Sequence, residues 1–197
     1  MSSDNPSLLV VVASTRPGRV GIHVGRWIQE AAETHGGFDV RFADLAELAL
    51  PFMDEPRHPR LRQYEHQHTK DWSAIVDAAD AFVFVTPEYN HGYNAALKNA
   101  LDFLHAEWAD KPVGLVSYGG IAAGTRAVQQ LKPVLAALRM LPAVEAVNIP
   151  FVAKLVQDGA LRPTAETTAA ATDMLDELAR LTGKLRPARE AELELSH

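Results

Sequence analysis

Three apolar runs constrain this chain more than any other feature: LLVVVA at 8–13, AFVFVT at 81–86 and PVGLVSY at 112–118. None alternates apolar with polar residues, so each expects cover on both faces, as parallel strands have when helices flank them. Two weaker strands are FDVRFADL (38–45), which does alternate, and VEAVNIP (144–150). Helical patterns fall near 20–35, 70–79, 94–106 and 122–139, with a last one near 164–182. Strand and helix in alternation imply right-handed crossovers and an open sheet.

The class expected is therefore α/β: a three-layer α/β/α domain with a five-stranded parallel sheet in the flavodoxin-like order 2-1-3-4-5. Such a sheet takes its ligand beyond the carboxyl ends of the first and third strands, where the strand order reverses. At 197 residues the chain suits one domain, placed at 1–183, with KLRPAREAELELSH (184–197) as a polar C-terminal tail. The proline-rich segment 51–70, PFMDEPRHPRLRQYEHQHTK, reads as a long surface excursion of functional or interfacial use.

Composition narrows the function classes. With no cysteine there is no thiol nucleophile and no cysteine-held iron–sulfur cluster. Nineteen basic against 25 acidic residues give a formal net charge of −6, which argues against broad nucleic-acid or anionic-membrane binding. The start, MSSDNPS, lacks the basic-then-apolar layout of a signal peptide, and no apolar run approaches the ~20 residues needed to span a bilayer. A cytoplasmic protein is expected.

Three loops at one sheet edge carry the chemistry. The first, STRPGRVG (14–21), stands where the first strand hands over to a helix. Amide groups at a helix N-terminus are unpaired and the helix dipole favours an anion there. Ser14 and Thr15 add hydroxyl donors, and Arg16 and Arg19 add planar forks that match phosphate oxygens. An ordinary turn with solvated arginines is the alternative. Neither a G-x-x-x-x-G-K-[ST] loop nor a G-x-G-x-x-G after the first strand is present. The second loop, PEYNHG (87–92), feeds the helical ALKNALD; it is polar enough to offer backbone groups to a flat heterocycle, with Tyr89 as a ring contact. The third, SYGG (117–120), has a glycine pair past which a ligand can approach the backbone. Each has a purely structural reading; their convergence is the stronger signal.

These motifs resemble the NADPH-dependent FMN reductase family of small flavodoxin-like quinone, azo-dye and chromate reductases. The resemblance runs from about Leu8 to about Pro150, and PEYN followed by ALKNALD is its specific part. It implies that Ser14, Arg16, Arg19 and the backbone at Val20 and Gly21 grip the FMN phosphate. Pro87, Glu88, Tyr89 and Asn90 would line the isoalloxazine ring, and Ser117, Gly119 and Gly120 would border its polar edge. It further implies hydride transfer from NADPH or NADH to a small-molecule electron acceptor, with no catalytic dyad and no metal, by a homodimer or homotetramer. The rivals are an FMN-binding electron carrier or redox sensor, and an FMN-free phospho-ligand binder. His58, His66 and His68 read as solvated or interfacial rather than metal ligands, and Trp72 and Trp108 as packing or subunit-contact residues.

Overall fold

A computed structural model describes residues 5–195. The start of the polar N-terminal stretch (residues 1–4) and the last two residues of the C-terminal one lie outside the described residues. Strands β1 (Ser7–Val12), β2 (Asp39–Asp44), β3 (Ala81–Pro87) and β4 (Pro112–Tyr118) form a parallel sheet in the order β2-β1-β3-β4. The fifth position is shared by β5 (Leu141–Pro142) and β6 (Val147–Ile149), both parallel to β4. The single strand expected at 144–150 is thus split and begins earlier. Proline has no N–H for a ladder and belongs at a sheet edge, where Pro142 stands.

The helices are α1 (Gly21–His35), α2 (Leu45–Leu48), α3 (Gln67–Asp77), α4 (Ala95–Asp102), α5 (Thr125–Ala137) and α6 (Ala165–Leu195). Because side chains alternate along a strand, each core strand feeds two cores. Leu9, Val11, Phe82, Phe84 and Leu115 pack with Trp72, Leu97, Leu101, Trp108, Leu131 and Leu135. Leu8, Val10, Val83, Val85 and Val116 pack on the other side with Val24, Ile28, Met174 and Leu178. Trp72 and Trp108 are buried, meet edge to face at 5.8 Å, and donate their indole N–H groups to Ala100 and Leu101 carbonyls. They are core residues.

Helix α6 continues beyond the 164–182 periodicity, through Pro187, to Leu195. A proline removes one helical hydrogen bond and crowds the preceding turn. A tertiary contact compensates here: the Arg189 guanidinium closes on Asp80, whose other oxygen accepts from Ser7 N at 3.0 Å. The segment read as a polar tail is helical to Leu195, held at the sheet's amino edge.

One buried carboxylate pins the excursion to the body and another closes it on itself. Glu107, fully buried, accepts from the Tyr64 hydroxyl at 2.8 Å and the Ser73 hydroxyl at 2.7 Å, and pairs with Arg62. Glu55 accepts from the amides of Glu65 and His66 at the start of α3. His66 and His68 both turn to Asp54, on its carbonyl and its carboxylate respectively.

Lys111 is buried, and its Nζ donates to the Val76 and Asp77 carbonyls at 2.9 and 3.0 Å. Burial, with Arg189 nearby, pushes its pKa down to about 8. The unfolded chain holds that proton up to about pH 10.4, so folding releases it between the two values and stability rises with pH across that window. Relative to Lys111→Met, the wild type should gain up to about 3 kcal/mol between pH 7.5 and 10.5 in denaturant titrations. A gap that does not change with pH would mean that the buried amine keeps its proton.

Candidate functional site

Strand register brings the three loops together. Val12 pairs with Val85 and Thr86 with Ser117, so the chain leaves β1, β3 and β4 at one edge. Asn94, buried between the loops, donates from Nδ2 to the Ala13 carbonyl at 2.5 Å. That bond ties the second loop to the first.

The first loop ends at α1, whose N-cap Val20 has no side-chain cap. The amides of Val20, Gly21 and Ile22 find no acceptor among the described residues. The Arg16 side chain is exposed and has no hydrogen-bond or ion-pair partner among them either. Arg19 differs. Its guanidinium forms a two-armed pair with the buried carboxylate of Asp44, at the end of β2, and also donates to the Ser14 carbonyl at 2.8 Å. The hydrogen bond to Asp44 raises the arginine's pKa against the cost of burial. Arg19 thus braces the loop through Asp44 and Ser14 while keeping two of its five N–H donors, whereas the Arg16 side chain has no such partner.

Gly21 is a close-approach position: a Cβ there would collide with both the Ser14 and the Tyr118 hydroxyls. Ser14 Oγ is buried beside Tyr118 with no hydrogen-bond partner of good geometry among the described residues. Burial pushes the Tyr118 phenol up to about 12, the neighbouring Ser14 hydroxyl pulling the other way. The first and third loops therefore meet at a hydroxyl pair that has no better acceptor.

The second loop is a two-residue reversal. Tyr89 and Gly92 exchange backbone hydrogen bonds at 2.9 and 3.0 Å, and Asn90 and His91 have φ of 49° and 70°. Positive φ at both central positions is the signature of a type I′ turn. Pro87 is buried at the end of β3, and Tyr89 and Asn90 are exposed at the tip. Glu88 turns to α5, accepting from Arg126 N at 3.2 Å and pairing with its guanidinium. Burial would raise the Glu88 pKa, but the bonds from Arg126 bring it below the usual carboxylate range. Arg126 Nη1 also meets His91 Nε2 at 2.8 Å. A guanidinium only donates, so Nε2 is the acceptor and the neutral ring carries its proton on Nδ1.

In the third loop Gly119 and Gly120 are accessible, while Ser117 is fully buried. Its Oγ lies 2.8 Å from the Ala123 carbonyl and 2.9 Å from Asn148 Oδ1. Ser117 shapes the loop from below and does not border the cleft. Gly124, at φ 82°, is required where it stands: a Cβ would come within 2.9 Å of Tyr118 N. Two clefts open at this edge. One of about 360 Å³ lies between the two later loops and is lined by Glu88, Asn90, His91, Gly119, Gly120 and Arg126. The other, about 480 Å³, runs from Thr15 between the segment 45–52 and α4.

Asp44, Asn94, Tyr118 and Arg126 were not among the residues picked from the sequence. The signal for Asp44, Asn94 and Tyr118 was position, a polar side chain at a strand's carboxyl end or a helix's first turn.

Open loops at the switch point of a 2-1-3-4-5 sheet define the flavodoxin-like class of α/β proteins. The family model for NADPH-dependent FMN reductase matches residues 6–154. An NAD(P)H-dependent FMN reductase of Schizosaccharomyces pombe is 41% identical over 167 residues, covering 83% of this chain and 82% of that protein. An FMN-dependent NADPH-azoreductase of Staphylococcus haemolyticus is 30% identical over 132 residues, 66% of this chain and 69% of its own. The flavoenzyme NAD(P)H:(acceptor) oxidoreductase FerB of Paracoccus denitrificans shares the fold, with a TM-score of 0.73 over 91% of this chain and 98% of its own at 21% identity. The chain belongs to the NADPH-dependent FMN reductase family.

The two loop arginines should separate by experiment. Arg19→Ala leaves the Asp44 carboxylate buried without its partner and should cost about 3–5 kcal/mol of stability in denaturant titrations. Arg16→Ala should leave stability unchanged. Removing both partners, Arg19→Ala with Asp44→Ala, should cost less than Arg19→Ala alone; equal costs would mean that the pair does not brace the loop.

Proposed function

We propose that the protein is an FMN-dependent NAD(P)H oxidoreductase whose three carboxyl-edge loops hold the cofactor. The observation that carries this reading is the donor set around α1's start: unpaired amides at Val20, Gly21 and Ile22, a free Arg16, and an orphan Ser14 hydroxyl. That set fits a phosphate monoester, which brings nearly two negative charges and three acceptor oxygens. The remaining loops fit a flat ring. The Asn90–His91 turn and the Gly119–Gly120 pair form opposite walls of one cleft, and the Gly120 and Ile121 amides have no acceptor among the described residues.

When bound, FMN supplies the hydride relay between NAD(P)H and an electron acceptor, chemistry that the side chains do not provide. The chain's own part is to bind, orient and stabilise. Arg16 and the α1 amides anchor the phosphate. The unpaired amides of the glycine loop are donors for negative charge on the ring's polar edge. Glu88 ties the second loop to the start of α5 through Arg126. No side chain is asked to abstract a proton from the hydride donor.

The purified protein should bind FMN more tightly than FAD, since the loop ends at one phosphate. Arg16→Ala should weaken FMN about tenfold to a hundredfold, the worth of one charge-assisted hydrogen bond. NADPH or NADH alone should bleach the bound flavin stoichiometrically, and steady-state plots against an acceptor should be parallel. Preference for FAD, or a flavin that stays oxidised until acceptor arrives, would refute the reading.

The same proposal places the enzyme in the cytoplasm, where NAD(P)H is available, as a homodimer or homotetramer. Among the described residues no helix is long and apolar enough to cross a membrane. Support for assembly comes from the excursion, which leaves Phe52 85% exposed and Leu61 58% exposed on a well-tied segment. Light scattering at micromolar concentration should report at least two copies, and Phe52→Ser should lower that number. A monomer would overturn the assembly without touching the cofactor.

A further inference from the structure

We propose that Ile121, Phe151 and Lys154 form the edge of the site that selects the electron acceptor, and that they favour a planar aromatic oxidant carrying an anionic substituent. The inference rests on the FMN reading above and goes beyond it by naming the residues and the acceptor's chemistry.

Phe151 follows β6 and is stitched to the third loop. Its amide donates to the Gly120 carbonyl at 3.1 Å, and the next amide, of Val152, donates to the Gly119 carbonyl at 3.2 Å. Ile121 stands on the other side of Gly120 and lines the smaller cleft. Nothing lies within 4 Å of the place where a Gly120 Cβ would be, so the space at this glycine, next to Ile121 in the chain and bonded to the Phe151 amide, is open. Both are exposed, Ile121 by 83% and Phe151 by 48%. Phe151 is also held at φ 47°. Bulky residues rarely adopt that conformation, and strain of this kind gathers at ligand clamps. A chain that needed only the turn would use glycine here; this one keeps an aromatic ring presented to solvent.

Charge sets the second half of the proposal. Lys154 Nζ lies 5.1 Å from the Phe151 ring centroid, is exposed, and has no ion-pair partner among the described residues. Arg126, at the far wall of the cleft, is already neutralised by Glu88. The uncompensated positive charge therefore sits beside the aromatic edge, where an acidic substituent on a stacked ring would reach it. For a quinone acceptor the balance is plain: two electrons and one proton arrive as a hydride that began on NAD(P)H, a second proton comes from water, and the hydroquinone leaves with NAD(P)⁺.

The test uses FMN-loaded wild type, Phe151→Gly, Ile121→Ser and Lys154→Gln. NADPH bleaching under anaerobic conditions reads the cofactor and the reductive half. Reoxidation by menadione against ferricyanide reads the platform, since outer-sphere electron transfer to ferricyanide needs no stacking. Calorimetric titration of the oxidised protein with anthraquinone sulfonate reads binding directly. All four proteins should bleach stoichiometrically. Phe151→Gly should lower the menadione-to-ferricyanide rate ratio and anthraquinone sulfonate affinity about tenfold, with the melting temperature unchanged or raised because glycine accepts the positive φ. Ile121→Ser should lower both about threefold. Lys154→Gln should leave menadione unchanged and weaken anthraquinone sulfonate about threefold, an effect that fades in high salt. Unchanged ratios and affinities in a protein that bleaches normally would overturn the inference alone, as would a drop in molecular mass by light scattering in Phe151→Gly or Ile121→Ser, which would make the patch a contact between copies. A wild type that holds no FMN would overturn the cofactor reading and the inference with it.

Discussion

The buried carboxylate of Asp44 is the interaction on which the first loop depends. It stands at the carboxyl end of β2, where its Oδ1 also accepts from Ala46 N at 3.0 Å and starts α2. An unpaired charge in that place would be costly, so the Arg19 fork is drawn inward to meet it. The same guanidinium takes the Ser14 carbonyl, which fixes how the chain leaves β1. Division of labour follows between two arginines three residues apart. One neutralises a protein carboxylate and sets the loop's shape; the other stays in solvent with its charge uncommitted. A phosphate arriving at α1 meets a loop already shaped, so little ordering cost is left for binding to cover.

A second ion pair does for the later loops what the first does for the opening one. Glu88 leaves β3 and caps the start of α5 through Arg126, which spans the cleft that the two loops enclose. Without it the type I′ turn at Asn90 and His91 would be held to the body by Asn94 and by its own two hydrogen bonds. The resemblance-based expectation put Glu88 against the ring. Its geometry adds a pairing with Arg126 while it still lines the cleft, and a carboxylate already paired adds little repulsion toward an anionic cofactor.

The sheet was legible in the sequence because its signal is redundant: three wholly apolar strands, separated by helix-length patterns, admit few arrangements. The fifth strand was less so, since Pro142 and the interruption at 143–146 break it into short pieces that only pairing with β4 defines. The C-terminal end of α6 was illegible for a different reason. Its apolar period fades after residue 182, and what holds it is the long-range pairing of Arg186 and Arg189 with Asp80. For the site, residue type was readable and direction was not. Arg16 and Arg19 look alike in the sequence, and only the position of Asp44 separates them. Ser117 sits in a strand covered on both faces, where no alternation tells an inward hydroxyl from an outward one.

The backbone records where function was placed. Most residues with positive φ terminate helices or turn hairpins: Ala49 and Arg62 close short helices, Gly36 closes α1, and Asp158 with Gly159 turns a small hairpin. These conformations satisfy helix-end carbonyls or reverse the chain, and they need no further account. A second group, Asn90, His91, Ala123, Gly124 and Phe151, gathers at the carboxyl edge within two loops and the turn after β6. Within that group the one glycine, Gly124, stands where a Cβ would strike backbone; Gly18, at φ 70° in the first loop, has open space around it. Elsewhere in that group the chain keeps side chains at a conformational cost that glycine would remove. Strain of this kind persists where the surroundings over-determine it, and here the determining contacts are hydrogen bonds between the loops themselves. Those bonds shape the edge before any ligand arrives, and of the side chains kept at that cost Asn90, His91 and Phe151 face solvent while Ala123 is buried.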